Sequence, residues 1–338
     1  MNLMERMKST SKIKLTSVMS ESKVLKQSKP IPTSVPMMNV ALSGSFDGGI
    51  SSGLTVLAGP SKHYKTSFGL LMLKAYQDAY PDSVTLFYDS EFGSPEAYWN
   101  SFGINMDKVL HIPIKNVEEL KFDLITQLEG ITSADKVFIM IDSIGNLASK
   151  KEIDDARDSK SVADMTRAKQ MKSLFRMATP YLTLNDIPLV AINHTYESME
   201  MFSKQVVSGG TGVIYSANTV FIIGRRQDKV GKEVVGYDFI INVEKSRFVK
   251  EKSKIPISVS WEGGIEKYSG LLEVAVEAGY VIKPKVGWYT RPIVPEDKNF
   301  REKDTNNKEF WKPIFDDTDF SKYIKEKFSV GFVTMLND

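Results

Sequence analysis

Apolar positions along the chain gather into short, nearly unbroken runs, and segments of helical spacing separate them. Leu54–Ala58, Ser83–Asp89, Val109–Ile112, Lys136–Asp142 and Pro188–His194 read as strands. Between them lie helical stretches: Phe68–Tyr76, Pro95–Phe102, Val117–Leu128 with Leu120, Leu124 and Leu128 on one stripe, and Val162–Ala178. Strands that are apolar on both faces and alternate with helices predict an α/β fold. Its central sheet is mostly parallel and covered on both sides. Ligands of such sheets bind beyond the carboxyl ends of the strands, which is where the polar residues of this chain collect.

The pattern changes toward both ends. Residues 1–29 are rich in Ser, Lys and Met, with seven basic and two acidic side chains. They read as a frayed tail with some helix between Leu15 and Leu25, or as an arm that docks on a neighbouring subunit. Pro30, Pro32 and Pro36 enforce an extended linker, and Asn39–Gly44 with Gly48–Ile50 lead into the core sheet. After residue 217 three hairpin-like strands, Thr219–Ile223, Tyr237–Val243 and Ile255–Val259, extend the sheet, with a turn at Gly231. A small α+β module follows, with a helix at Gly270–Ala278, an aromatic segment at Val286–Tyr289, Phe310-Trp311, and a last helix at Phe320–Phe328. The expected division is an arm and linker over 1–35, an α/β core over 36–268 and the small module over 269–338.

Composition narrows the chemistry. A chain of 338 residues, 42% hydrophobic and 25% charged, is an ordinary soluble globular protein. No apolar run approaches the ~20 residues of a membrane span, and the polar N-terminus lacks a signal-peptide core. The cytoplasm is the expected compartment. There is no cysteine, which excludes disulfides, zinc–thiolate sites and thiol nucleophiles. Net charge is only +2, so a nucleic-acid surface has to be local.

The stretch Gly59-Pro60-Ser61-Lys62-His63-Tyr64-Lys65-Thr66-Ser67 joins a strand to a helix, the context of a phosphate-binding loop. Its backbone N–H groups and the helix N-terminus would converge on phosphate, Lys65 would reach the outer phosphates, and the Thr66 hydroxyl would hold Mg²⁺. Tyr64 stands where glycine is usual, so the motif alone is degenerate. Asp142 closes an apolar strand. Alone it is a turn or cap former, whereas beside a phosphate loop it holds Mg²⁺ through water. Glu91 fits two roles, a base for the attacking water or an acid at a helix N-terminus. His194, leading into a Ser/Gly-rich segment, fits a γ-phosphate sensor or a structural hydrogen bond. His63, His111 and His194 show no metal-ligand spacing.

Two polar segments read as mobile loops, Ala148 to about Val162 and Thr195–Gly212. The helix after the first places Lys169, Lys172 and Arg176 on one face, with Met165, Ala168 and Phe175 free to pack inward. Such a face is either solvated or suited to a phosphodiester backbone, together with the amides around Gly209, Gly210 and Thr211. Met199, Met201 and Phe202 either stack on bases or cover the domain's own surface.

These pieces, in this order, resemble the RecA-type recombinases, particularly the UvsX recombinases of T-even-like phages. The resemblance rests on Leu57–Lys62, Phe87–Gly93, Ile141–Glu152, Asp164–Lys169, Ala191–Glu197 and Asn242–Arg247, and spans about residues 36–312. It implies a RecA-type P-loop ATPase that forms helical filaments on single-stranded DNA and exchanges strands with duplex DNA, using ATP and Mg²⁺. In that reading Glu91 is the catalytic glutamate and Tyr98 stacks on adenine. His194 links the γ-phosphate to the second DNA loop, and Lys245 and Arg247 reach the neighbouring subunit's nucleotide. Arg167, Lys169, Lys172, Arg176, Met199, Phe202, Lys204, Gly209, Gly210 and Thr211 face DNA. The arm docks on an adjacent core to build the filament. A recombination mediator and a single-strand-binding protein are expected partners, and a membrane is not. The relatives carry an acidic C-terminal extension, whereas the last forty residues here hold seven basic and eight acidic groups. That makes this chain a shorter member or a truncated one. A RecA-fold hexameric helicase and a non-hydrolysing recombination scaffold share parts of the pattern.

Overall fold

The computed structural model describes residues 1–22, 24, 28–158, 165–198 and 205–331. The chain opens with α1 (Leu3–Thr10), which starts at an Asn2/Glu5 capping box and buries none of its residues. In the span Leu15–Leu25, where some helix is expected, the described residues form a single 3₁₀ turn, Met19–Glu21. Residues 39–43, expected to lead into the sheet, form α2 (Pro36–Ser43): Pro36 starts it, and Met37 to Leu42 are all buried. Asn39 fastens the linker, accepting from the Thr33 amide at 2.7 Å and donating to the Phe46 carbonyl at 3.1 Å.

The core then alternates β1 (Gly53–Gly59), α3 (Lys65–Ala79), β2 (Val84–Asp89), α4 (Glu96–Ser101), β3 (Val109–Pro113), α5 (Val117–Gly130) and β4 (Val137–Asp142). It continues through α6 (Lys150–Arg157), α7 (Thr166–Leu184), β5 (Pro188–Glu197), β6 (Gln205–Val207) and α8 (Thr211–Ser216). Long antiparallel strands β7 (Thr219–Val230), β8 (Glu233–Ser246) and β9 (Lys254–Ser260) follow, with a short β10 (Gly264–Ile265). The C-terminal region holds α9 (Leu271–Glu277), β11 (Ile282–Lys285), β12 (Trp288–Thr290), α10 (Lys308–Phe315) and α11 (Thr318–Phe328).

One sheet runs in the order β10-β9-β8-β7-β1-β5-β4-β2-β3, with β6 added to β5. The strands from β7 through β3 are parallel, and β7 to β10 pair antiparallel. The parallel strands β1 and β4 are buried at every position, as a sheet covered on both faces requires. Side chains alternate between two cores. Val56 and Ala58 of β1 meet α5 and α7 on one side, and Leu57 meets α2, α3 and the C-terminal helices on the other.

The C-terminal region shares this second core, for Phe46 packs on Phe315 and Phe320. Its own centre is Arg291, 7% exposed, which pairs with both carboxylate oxygens of Asp297 at 2.8 Å and donates to the Phe310 carbonyl at 2.7 Å.

Two expectations change here. The polar segment after Ala148 is not a loop throughout, because α6 forms on a Ser149/Glu152 capping box, with Lys151 and Asp155 paired one turn apart. In the second segment β5 runs on to Glu197 and β6 pairs back on it, Thr195 opposite Val207. Met165 does not pack inward; it is 69% exposed at the start of α7, and Phe175 is the buried one.

Candidate active site

Strand register brings the polar residues to one edge. Gly59 at the end of β1 lies opposite His194 of β5, and Asp89 of β2 lies opposite Asp142 of β4. Parallel strands in this order open their carboxyl ends to the same side, so four chain segments meet there.

The loop after β1 turns into α3 through two non-glycine residues in left-handed backbone, Lys62 at φ +60° and Tyr64 at φ +59°. Tyr64 holds the position that glycine would favour, and its ring explains how. It stacks on Phe239 at 5.0 Å and meets Phe68 edge-on at 5.8 Å. Arg225, which the sequence pattern did not single out, donates to the Lys62 carbonyl at 3.2 Å while lying over the Tyr237 ring at 4.6 Å. The antiparallel extension thus braces the loop from behind. Lys65 is buried and donates to the Pro60 carbonyl at 2.8 Å across the loop. Burial lowers its pKa, and Glu91 and Asp142 oppose that shift. The His63 ring meets the Ser61 carbonyl at 2.9 Å, and burial lowers its pKa.

Thr66 donates to Asp142 Oδ2 at 2.8 Å. The other oxygen, Oδ1, is buried without a hydrogen-bond partner among the described residues. Burial, only partly offset by the Thr66 bond, pushes the Asp142 carboxyl up to about 6. An orphaned buried carboxylate oxygen beside a threonine hydroxyl and a lysine fits a hard cation that arrives with phosphate. No group of three or more acidic or histidine residues converges among the described residues. The Thr66–Asp142 pair suits Mg²⁺, which is held by one or two protein oxygens and by phosphates more than by a protein cage.

Glu91 sits on the neighbouring turn, shaped by Asp89: Asp89 Oδ1 accepts the Glu91 and Phe92 amides at 3.0 and 2.8 Å, and its Oδ2 meets His111 Nε2 at 3.2 Å. Three groups converge on Glu91 Oε1, namely Ser143 Oγ at 2.6 Å, His194 Nε2 at 2.9 Å and Asn146 Nδ2 at 3.1 Å. The His194 hydrogen bond, seconded by Ser143 and by the Lys65 charge, lowers the Glu91 pKa. Ser143 and Asn146 were not anticipated as site residues. Their spacings from Glu91, 52 and 55 residues, are visible only after β2 and β4 pair.

His194 is tied to the glycine-rich turn. Its carbonyl accepts the Ser208 amide at 2.9 Å, and the buried Asn193 donates to the Ser208 carbonyl at 2.8 Å. Gly209 and Gly210 follow at φ +89° and +80°, left-handed backbone that side chains resist, and Thr211 begins α8. Lys169, Lys172 and Arg176 are exposed together on α7. Met199, Phe202 and Lys204 lie outside the described residues.

Three expected roles meet different surroundings. Arg167 does not face outward with the other α7 cations; its guanidinium is turned onto main-chain carbonyls of the segment after β4. Lys245 is half-buried and donates to the Ile214 and Tyr215 carbonyls at 2.8 and 3.2 Å, closing the end of α8 within its own chain, whereas Arg247 is exposed. Tyr98 is half-buried, with its hydroxyl on Ser67 Oγ and its ring edge-on to Phe102.

Comparison with known proteins gives a consistent set of similarities. Residues 5–266 match the profile of the RecA N-terminal domain. Residues 268–324 match that of the C-terminal domain of the bacteriophage T4 recombination and repair protein. The chain is 51% identical over 340 residues to the recombination and repair protein of Enterobacteria phage T4, covering 98% of this chain and 87% of that one. It is 26% identical over 306 residues to the RecA protein of Streptomyces avermitilis, covering 89% and 77% of the two chains. To the RecA protein of Acidothermus cellulolyticus it is 25% identical over 307 residues, covering 89% and 84%.

Proposed function

Because the chain belongs to the RecA family of recombination proteins, we propose that it is an ATP-dependent recombinase that assembles on single-stranded DNA and catalyses homologous pairing and strand exchange. One observation supports this most: the carboxylate suited to activate water, Glu91, is held by His194, whose own backbone carries the glycine-rich turn. Nucleotide chemistry and a DNA-facing loop are then parts of one structure.

The residue roles follow from position. Backbone amides of Ser61 to Lys65 and the start of α3 cradle the β- and γ-phosphates, with Gly59 and Pro60 shaping the turn, and Lys65 leaves the Pro60 carbonyl to neutralise them. Thr66 and Asp142 would hold Mg²⁺, which would supply positive charge to offset that of the phosphates. Ser67 belongs to the same turn, and Tyr98 stacks on the adenine. Glu91 takes the proton of the attacking water, and its lowered pKa keeps it ionised for that task. His194 senses the γ-phosphate.

Lys169, Lys172, Arg176 and the Gly209–Thr211 turn contact the DNA backbone, with Met199, Phe202 and Lys204 on the adjoining segment. Sequence is then tested by base pairing and not by the protein. Residues 1–35 act as a docking arm, which agrees with a helix α1 that buries nothing in its own chain. Arg247, with Lys245 once displaced from its carbonyls, approaches the neighbour's nucleotide. Residues 36–268 form the ATPase core and 269–338 the small module. Duplex DNA, a recombination mediator and a single-strand-binding protein complete the partners. No helix of the described residues is long and apolar enough to cross a membrane.

The test is negative-stain imaging with single-stranded DNA and a non-hydrolysable ATP analogue. Helical filaments on DNA are expected. Closed rings would favour a hexameric motor and overturn the proposal.

A further inference from the structure

Arg167 begins α7, the helix whose other cations face outward, yet its guanidinium faces the opposite way. Nε donates to the Leu147 carbonyl at 2.6 Å, and Nη2 donates to the Ile144 and Gly145 carbonyls at 3.0 and 2.7 Å. Charge-assisted bonds to three carbonyls of one short turn fix its position far better than a neutral contact would. That turn contributes two things to the site. Asn146 reaches Glu91 Oε1 at 3.1 Å, although its own residue is exposed and has little packing to hold it. Gly145 is the seat of His194: a Cβ there would lie 2.5 Å from His194 Cδ2 and 2.9 Å from its backbone nitrogen. His194 is itself a second donor to the same carboxylate oxygen, at 2.9 Å. So two of the three groups that hold Glu91 depend on the height of the 144–147 turn, and Arg167 sets that height.

We propose that Arg167 is a positioning residue for ATP hydrolysis: it fixes the turn at 144–147 so that Asn146 and His194 hold the Glu91 carboxylate, and it ties the basic helix α7 to that carboxylate. The inference rests on the reading of Glu91 as the base and of α7 as a DNA-facing helix. Lys169, Lys172 and Arg176 project from α7 on its exposed face, about half a turn to two and a half turns beyond Arg167. A polyanion that shifts the start of α7 therefore acts on Glu91 through a rigid guanidinium clamp, without needing to touch the nucleotide.

The experiment measures steady-state ATP hydrolysis with poly(dT) for wild type, R167A, R167K, N146A and the R167A/N146A double variant. The expected result for R167A and N146A is a kcat lower by about 10-fold to 100-fold, as small misplacements of catalytic groups produce. KM for ATP and the poly(dT) concentration at half-stimulation should stay within about 2-fold, the pattern of an interaction felt in the transition state. The double variant should be no slower than the slower single one, because both substitutions release the same contact. R167K should fall between, since one ammonium cannot span three carbonyls. If R167A fails to fold, N146A and R167K still decide, because Asn146 is exposed. A kcat that is retained while half-stimulation rises about 10-fold would make Arg167 a phosphate contact and overturn the proposal. So would an N146A protein with full kcat, or effects that multiply in the double variant. A wild-type protein indifferent to poly(dT) would instead overturn the functional reading on which the inference rests.

Discussion

Tyr64→Gly is the sharpest probe of the phosphate loop. The native residue combines a left-handed backbone with a half-buried ring. Glycine removes the conformational penalty, worth about 1 kcal/mol, but it adds a comparable unfolded-state entropy cost of about 1 kcal/mol. These two offset each other, so the net effect is the lost ring. Tyr64 stacks on Phe239 at 5.0 Å and meets Phe68 at 5.8 Å. Two aromatic pairs of about 1 kcal/mol each beyond burial, with about 1 kcal/mol for the half-buried ring area itself, give a net destabilisation of about 3 kcal/mol. At this chain length that is a fall of about 4 °C in the melting midpoint. The loop itself is still braced by the Arg225 contact to the Lys62 carbonyl, and its phosphate-facing amides do not involve the ring. ATP affinity, measured by titration calorimetry, should therefore change by less than about 3-fold while the melting midpoint falls. A folded Tyr64→Gly protein that no longer binds ATP would refute the reasoning, because the ring would then be holding nucleotide and not merely the loop.

Other substitutions test separate parts. Glu91→Gln keeps an oxygen for Ser143, Asn146 and His194; nucleotide binding should persist while turnover drops about 10²-fold to 10⁴-fold, and a variant that still hydrolyses ATP at the native rate would exclude Glu91 as the base. Asp142 has a folded-state pKa raised from 3.8 to about 6 by burial, so between those values the folded state binds more protons than the unfolded one. Its contribution is present below the unfolded value and is lost as pH rises through about 6, an effect of about 3 kcal/mol. Asp142→Asn should abolish that part of the slope in urea unfolding of metal-free, nucleotide-free protein between pH 4 and 7, and identical slopes in both proteins would count against it. Arg291→Ala leaves Asp297 buried without its partner and should cost about 3–5 kcal/mol, read as lost protection of residues 289–311 in hydrogen exchange.

The parallel core was legible because strands buried on both faces leave continuous apolar runs, and the runs ending at Gly59, Asp142 and His194 do end at the site. Helix α6 was hidden by its charge: Lys150 to Asp155 look solvated in a hydropathy pattern, although the Ser149–Glu152 spacing is itself a capping box. Arg167 is expected at DNA only through the family resemblance; periodicity groups Lys169, Lys172 and Arg176 and says nothing about carbonyls waiting on another segment. Ser143, Asn146 and Arg225 carry no local signal. Their partners lie 52, 55 and 163 residues away and become neighbours only through strand pairing. Lys245 and Arg247, alike in sequence, part company because one is drawn to the end of α8 and the other remains at the surface.

The most direct test of the central claim is a strand-exchange assay between a circular single strand and a linear duplex. With ATP and Mg²⁺ present, the protein should convert a homologous pair to heteroduplex product, and should give none with a heterologous duplex or without nucleotide. Absence of product from homologous DNA, in a preparation that hydrolyses ATP when single-stranded DNA is added, would contradict the account.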